Sequence, residues 1–240
     1  MCKSATFCLI FTLVLSLPAR ADSSREDDGR RVQESAEVFQ EIMNTPDKAI
    51  PRDLLGSAKC LAIIPAEKKF AFFVGGDYGK GVVTCRTEKG WSAPLFLTVG
   101  GGSFGFQWGG SSTDLILVFR GKKGLHKLLS DKFQLGADAT AAAGPVGRHA
   151  AAGTDIEMRA EILTYSRSRG VFAGISLNGA VIQCDETGNA AMYGHETNRE
   201  SILNGTVAVP AEGKVLVEAV EKGIRGPAPS TAHVAPGKSG

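Results

Sequence analysis

The chain has 240 residues, 27 basic against 25 acidic side chains for a formal net charge of +2, 43% hydrophobic residues and 30 glycines. So near-neutral a balance gives bulk charge no part in nucleic-acid binding. The length suits one globular domain with short flanking segments.

Residues 1–21 read as a secretory signal peptide. Lys3 gives a positive start, residues 7–17 are a nearly unbroken apolar run, and Ala19-Arg20-Ala21 is a small-x-small cleavage site. The run falls short of the roughly 20 apolar residues that a membrane-spanning helix needs. Neither Cys2 nor Cys8 stands where a lipoprotein cysteine would. Cleavage would remove Lys3 and Arg20 and leave 25 basic against 25 acidic residues, so any electrostatic function must come from local patches. Export would permit disulfides. Cys60, Cys85 and Cys184 would remain, with Cys60 and Cys85 the candidate pair on two adjacent predicted strands and three buried thiols the competing reading.

Residues 25–43 predict an amphipathic helix. Val32, Ala36, Phe39 and Met43 form a stripe widened by Val38 and Ile42, while Arg30, Arg31, Glu34, Glu37 and Glu41 face outward. Its mixed-sign polar face favours packing on the domain over lying on a membrane. Thr45-Pro46 ends it, and Pro51 opens a short helix running to Ala58. Short strands follow at 60–64, 70–74, 81–86 and 95–99, with turns at Gly75-Gly76 and Glu88-Lys89-Gly90. At 104–108, Phe104, Phe106 and Trp108 alternate with Gly105 and Gln107, an aromatic face that is either core or exposed.

Residues 115–119 predict a buried strand, and Leu125, Leu128 and Leu129 a short helix. Residues 139–152 are mostly Ala and Gly and fit either a loop or a broken helix. Residues 154–162 alternate apolar and charged and predict a half-buried strand. Residues 171–177 and 180–184 predict a hairpin around Asn178-Gly179. Val215, Ala219, Val220 and Ile224 predict a closing helix after Pro210. So many glycines inside strand patterns predict a tightly curved antiparallel sheet with close backbone approaches. The fold class is therefore α+β, mainly β: one compact domain of glycine-rich sheet with helices near both ends.

Catalytic patterns are weak. Gly101-Gly102-Ser103-Phe104-Gly105 has nucleophile-elbow spacing, yet the residues after it would make a poor helix, which that mechanism requires. Gly75 to Gly81 is one residue short of a phosphate loop and lacks its Ser or Thr. His126, His149, His195 and His233 are far apart, and Asp185, Glu186 and Asn189 read as turn residues, not a calcium loop. No enzyme activity, cofactor or metal is expected. The concentrated basic stretch is Arg120, Lys122, Lys123, His126, Lys127 and Lys132. Each Lys or Arg held near an anionic bilayer contributes about 1 kcal/mol.

Several separated motifs carry a family resemblance. They are Ile50-Pro51-Arg52-Asp53-Leu54-Leu55, Gly79-Lys80-Gly81-Val82-Val83, Gly90-Trp91-Ser92-Ala93-Pro94, the glycine and aromatic run 101–109, Ala143-Gly144-Pro145-Val146-Gly147-Arg148, and Tyr165-Ser166-Arg167-Ser168-Arg169-Gly170-Val171-Phe172-Ala173-Gly174. In order and spacing they resemble the SYLF-domain family, also called the lipid-binding SYLF or Ysc84-type actin-binding domain. The resemblance covers roughly 35–205 and implies a mainly β domain with flanking helices. It implies lipid binding through basic residues and an N-terminal amphipathic segment, with yeast members linked to actin.

The expected division is a signal peptide at 1–21, the start of an N-terminal helical segment at 22–34, the SYLF-like domain at 35–205, a helical extension at 206–224 and a disordered tail at 225–240. The signal peptide suggests an exported, bacterial-type member, periplasmic or secreted, for which actin is an improbable partner. The expected function is peripheral binding of anionic phospholipid at the cell envelope through Lys122, Lys123, Lys127, Arg120, Lys68 and Lys69. The alternative is an envelope scaffolding protein that binds protein partners.

Overall fold

The computed structural model describes residues 20–45, 49–66, 77–100, 113–147, 159–168 and 170–226. Residues 1–19, and with them most of the expected signal peptide, lie outside these, as do the expected strand at 70–74, the aromatic run at 104–108 and the tail beyond Gly226.

The centre of the sheet follows from two continuous apolar runs. Strand β1 (Cys60–Ile64) is buried at all five positions. It pairs antiparallel with β2 (Asp77–Thr87) on one side and β5 (Thr113–Phe119) on the other. Its side chains alternate between two cores. Leu61 and Ile63 join one, and Cys60, Ala62 and Ile64 join the other. β5 divides likewise, with Ile116 and Val118 on the first face and Leu115, Leu117 and Phe119 on the second. Both faces are covered, so these strands lack the apolar–polar alternation of an antiparallel sheet with one wet face. Gly81 permits the close pairing of β2 with β1, because a Cβ there would lie 2.5 Å from the Ile63 carbonyl oxygen.

Outward from this centre come β3 (Gly90–Trp91), β4 (Leu95–Gly100), β6 (Lys132–Gln134), β7 (Ala141–Ala143), β8 (Ile162–Ser168), β9 (Val171–Gly174) and β10 (Val181–Cys184). The main order is β6-β10-β4-β2-β1-β5-β8-β7, with β3 added to β2 and β9 to β8. Every described pairing between these strands is antiparallel except β7 with β8. β6 and β7 terminate opposite ends of this order but are close neighbours in the chain. Eight flat strands would place them about 34 Å apart. The seven residue steps from Gln134 to Ala141 reach about 25 Å at most. The sheet therefore curls, as the glycine content led us to expect.

Helix α1 (Arg20–Met43) and helix α6 (Lys214–Arg225) cover the first face. Between them in sequence lie α2 (Arg52–Ser57), α3 (Lys122–Leu128), α4 (Glu186–Tyr193) and α5 (Arg199–Leu203). α1 buries Val32, Ala36, Val38, Phe39 and Ile42. At about 1.5–3 kcal/mol for each fully buried large side chain, this stripe holds the helix in place. α1 begins at Arg20, within the expected cleavage motif. Arg31 does not face outward. Its side chain is 12% exposed, paired with Asp28 at 3.0 Å and Asp185 at 2.8 Å, and lies over the Phe96 ring. At the far end of α1, Arg167 joins Glu41 to Asp114 of β5.

Three further expectations are corrected. The strand expected at 154–162 has its start outside the described residues, and the strand that is described begins at Ile162. Residues 171–177 and 180–184 do not form a hairpin. β9 folds back on β8 through Gly170, at φ +78°, while β10 pairs with β4 and β6 on the other side of the sheet. Asp185 is not a turn residue but the N-cap of α4, its carboxylate accepting from the Gly188 amide.

Candidate functional site

Chain direction sets where the basic segment goes. β5 ends at Phe119, the Arg120 amide donates to the Glu161 carbonyl, and α3 starts at Lys122. α3 lays Gly124 and Leu128 against the sheet, which turns His126 and Lys123 outward. The Lys123 side chain is 86% exposed, with Nζ 3.8 Å from Glu161. Lys127 Nζ lies 3.5 Å from Asp138. The Gln134 backbone amide, assisted by Lys127, holds the Asp138 carboxyl below the ordinary carboxylate value. Arg120 is also engaged with a neighbour. Lys68, Lys69 and the side chain of Lys122 lie outside the described residues. The segment thus gathers Arg120, Lys123 and Lys127 at one helix and accompanies the two lysines with carboxylates.

Beside this helix opens a cleft of about 950 Å³. One wall is α3 and its exit, with Leu125, His126 and Leu129. The second wall is the start of β1 and the end of β2, with Lys59, Arg86 and the turn at Glu88 and Lys89. The third is α5 and the turn after it, with Glu200, Leu203 and Thr206. Buried Cys85 and Leu203 form the floor, and half-buried Leu125 and Leu129 extend it.

The walls are fixed by directional bonds. Cys85 is disulfide-bonded to Cys60 across the β1–β2 register. Arg86 donates to the Ala58 and Leu55 carbonyls, each at 3.2 Å, and its guanidinium lies 4.8 Å from the Trp91 ring centroid. Arg199 donates to the Leu129 carbonyl at 3.0 Å, to Glu186 at 3.0 Å and to Asp131 at 2.6 Å. One side chain therefore ties α5 to α4 and to the end of α3. No local sequence signal marks this cleft, because its walls come from positions between 59 and 206 that share no motif.

Ser103 and the 104–108 run lie outside the described residues, as do His149 and His233. Gly79-Lys80-Gly81 is strand within β2, paired to β4, so its amides form a ladder and not a phosphate cradle. Among the described residues no three His, Cys, Asp or Glu side chains group to hold a metal ion, and no helix is long and apolar enough to cross a membrane. Cys184 is a free thiol, raised to about 12 by burial and then by Glu186.

A protein family described as Ysc84, Las17-binding protein actin regulator, matches residues 100–223. The cattle SH3 domain-containing YSC84-like protein 1 is 32% identical over 208 residues, which is 85% of this chain and 60% of that protein. Its human counterpart is 31% identical over the same length and the same shares. Protein YSC84 of Saccharomyces cerevisiae is 32% identical over 179 residues, 73% of this chain and 38% of that protein. The chain spans about 60% of the length of the animal relatives. These relatives are animal and fungal proteins, and the family is one of actin regulators. Both findings overturn the expectation of an exported bacterial-type member, its periplasmic or secreted location and its signal peptide. Without export, the reason for setting actin aside is also gone.

Proposed function

This chain belongs to the Ysc84 family of Las17-binding actin regulators, a non-catalytic family, and on that premise we propose that it is a scaffolding domain binding protein partners of the actin-regulatory machinery. The family match carries this reading. It runs from 100 to 223 and so includes two of the three cleft walls, α3 and α5. A surface shaped by several elements, with an apolar floor and a polar rim, suits a protein partner. The test is co-sedimentation of the full chain with filamentous actin, together with capture by purified Las17. Retention by at least one is expected. Retention by neither sinks the reading.

The exposure of Lys123 at the outer face of α3 favours a second activity, attachment to an anionic lipid surface. Attachment through so few charges must weaken with salt. Flotation with phosphatidylserine vesicles should therefore decline from low to high ionic strength and in the Lys123→Ala/Lys127→Ala double variant. Binding indifferent to both would exclude this segment as the lipid contact.

A further inference from the structure

We propose that the cleft between α3, α5 and the β2–β3 turn receives an acidic segment of a partner protein, anchored by one apolar side chain. The inference rests on the scaffolding reading and names the partner chemistry of that scaffold. A volume of about 950 Å³ accommodates several side chains. Its floor, of Cys85, Leu203, Leu125 and Leu129, offers no charge and excludes water from whatever fills it. An aromatic or Leu side chain is the matching anchor.

The rim decides the flanking chemistry. Lys59 and Lys89 are exposed, and neither pairs with a carboxylate among the described residues. Arg86 places two of its donors on carbonyls and its face on Trp91, so its charge is held in place without being neutralised. Three cations thus meet two carboxylates, Glu88 and Glu200, with exposed His126 beside them. Three cations against two carboxylates leave only a small positive excess, which suits separate carboxylates of a peptide better than the concentrated charge of a phosphorylated headgroup. The disulfide under the floor and the Arg199 bonds behind the walls hold the shape before binding, which lowers the ordering cost.

A phage-displayed library of random 12-residue peptides, selected on the immobilised full chain, supplies the probe. Selected peptides are then synthesised with a fluorophore and titrated by anisotropy. We expect Asp or Glu flanking a Leu or aromatic residue. Affinity should fall about tenfold or more in Lys59→Glu/Lys89→Glu, and similarly in Thr206→Trp, which fills the cleft from its exposed rim. It should be unchanged in Lys123→Ala/Lys127→Ala. The proposal is overturned if no peptide is enriched, if enriched peptides are not acidic, or if they bind the cleft variants as well as the wild type. It is also overturned if phosphatidylserine vesicles alone respond to Lys59→Glu/Lys89→Glu. Failure here with actin or Las17 capture intact removes the cleft and leaves the scaffold. Peptide binding without either capture removes the actin-regulatory assignment and leaves the cleft.

Discussion

At the scale of single residues, the junction between α1 and α4 sets two carboxylates to opposite purposes. Burial pushes the Asp28 carboxyl up, and Arg31 opposes this only in part. Burial pushes Asp185 up as well, but the Arg31 hydrogen bond and the Gly188 amide outweigh it, so its value falls below the ordinary one. A depressed value means that Asp185 contributes stability above its unfolded pKa and loses it as pH falls through the folded one. A raised value means that the contribution of Asp28 is fully present at low pH and is lost as pH rises through its folded value. Asp185→Asn should therefore cost about 1–3 kcal/mol at pH 7 and flatten the acid limb of the stability profile. Asp28→Asn should be neutral or stabilising at pH 7, with its effect shrinking toward pH 3. Urea denaturation across that range checks both signs, and a larger loss for Asp28→Asn at pH 7 would refute the assignment.

Cys184 gives a second prediction at this scale. With its thiol near 12, only about one molecule in ten thousand is thiolate at pH 8. Iodoacetamide should leave Cys184 unmodified in the folded protein and alkylate it promptly in guanidinium, with peptide mapping separating it from Cys2 and Cys8. Labelling of the native protein at the rate of a free thiol would show that burial does not protect it.

At the scale of elements, the crossing of α1 and α6 leaves no room for a side chain at Gly223. A Cβ at Gly223 would stand 2.6 Å from the Phe39 ring, and Phe39 is fully buried, so the ring cannot swing into solvent. Replacing a helical glycine by alanine normally stabilises by up to about 1 kcal/mol. Here overpacking, typically 1–3 kcal/mol, should reverse the sign. We expect Gly223→Ala to lower the thermal midpoint, and a rise in the midpoint would show that the two helices part easily. The same scale explains which parts of the fold the sequence made legible. β1, β5 and the stripe of α1 were readable because burial on both faces, or along one stripe, writes itself into consecutive or periodic residues. The β9–β10 hairpin was misread because Asn178-Gly179 is a true turn, with Gly179 at φ +92°, but a turn does not choose its partner. Gly170 had already returned β9 to β8. Helix α4 was missed because its sequence, with Gly188 and Asn189, has weak propensity. Its stop-and-start signal was the Asp185 cap, and Asn189 is spent on the Phe96 backbone, donating to its carbonyl and accepting from its amide. The cleft was illegible for a related reason, since only tertiary folding brings Lys59 beside Glu200.

At the scale of the whole molecule, curling the sheet brings β6 near β7 and leaves the second face to be covered by short helices instead of a long one. Such cover depends on ties between helices more than on any one helix's apolar area. Arg199 is the principal tie described, reaching the end of α3, the start of α4 and Asp131 from α5. Its own side chain is 22% exposed, so its loss strands the part-buried Leu129 carbonyl, while the exposed Asp131 and Glu186 carboxylates turn to water. Arg199→Met retains most of the apolar stem and removes the donors. Hydrogen exchange should then accelerate about tenfold or more at the amides of 122–129 and 199–204, while β1, β5 and the α1–α6 face keep their protection. Equal acceleration everywhere would mean that Arg199 supports global stability and not the cleft walls. Unchanged exchange would mean that the apolar floor alone holds the helices, in which case the cleft is shaped by packing and its charges are free to adapt to a partner.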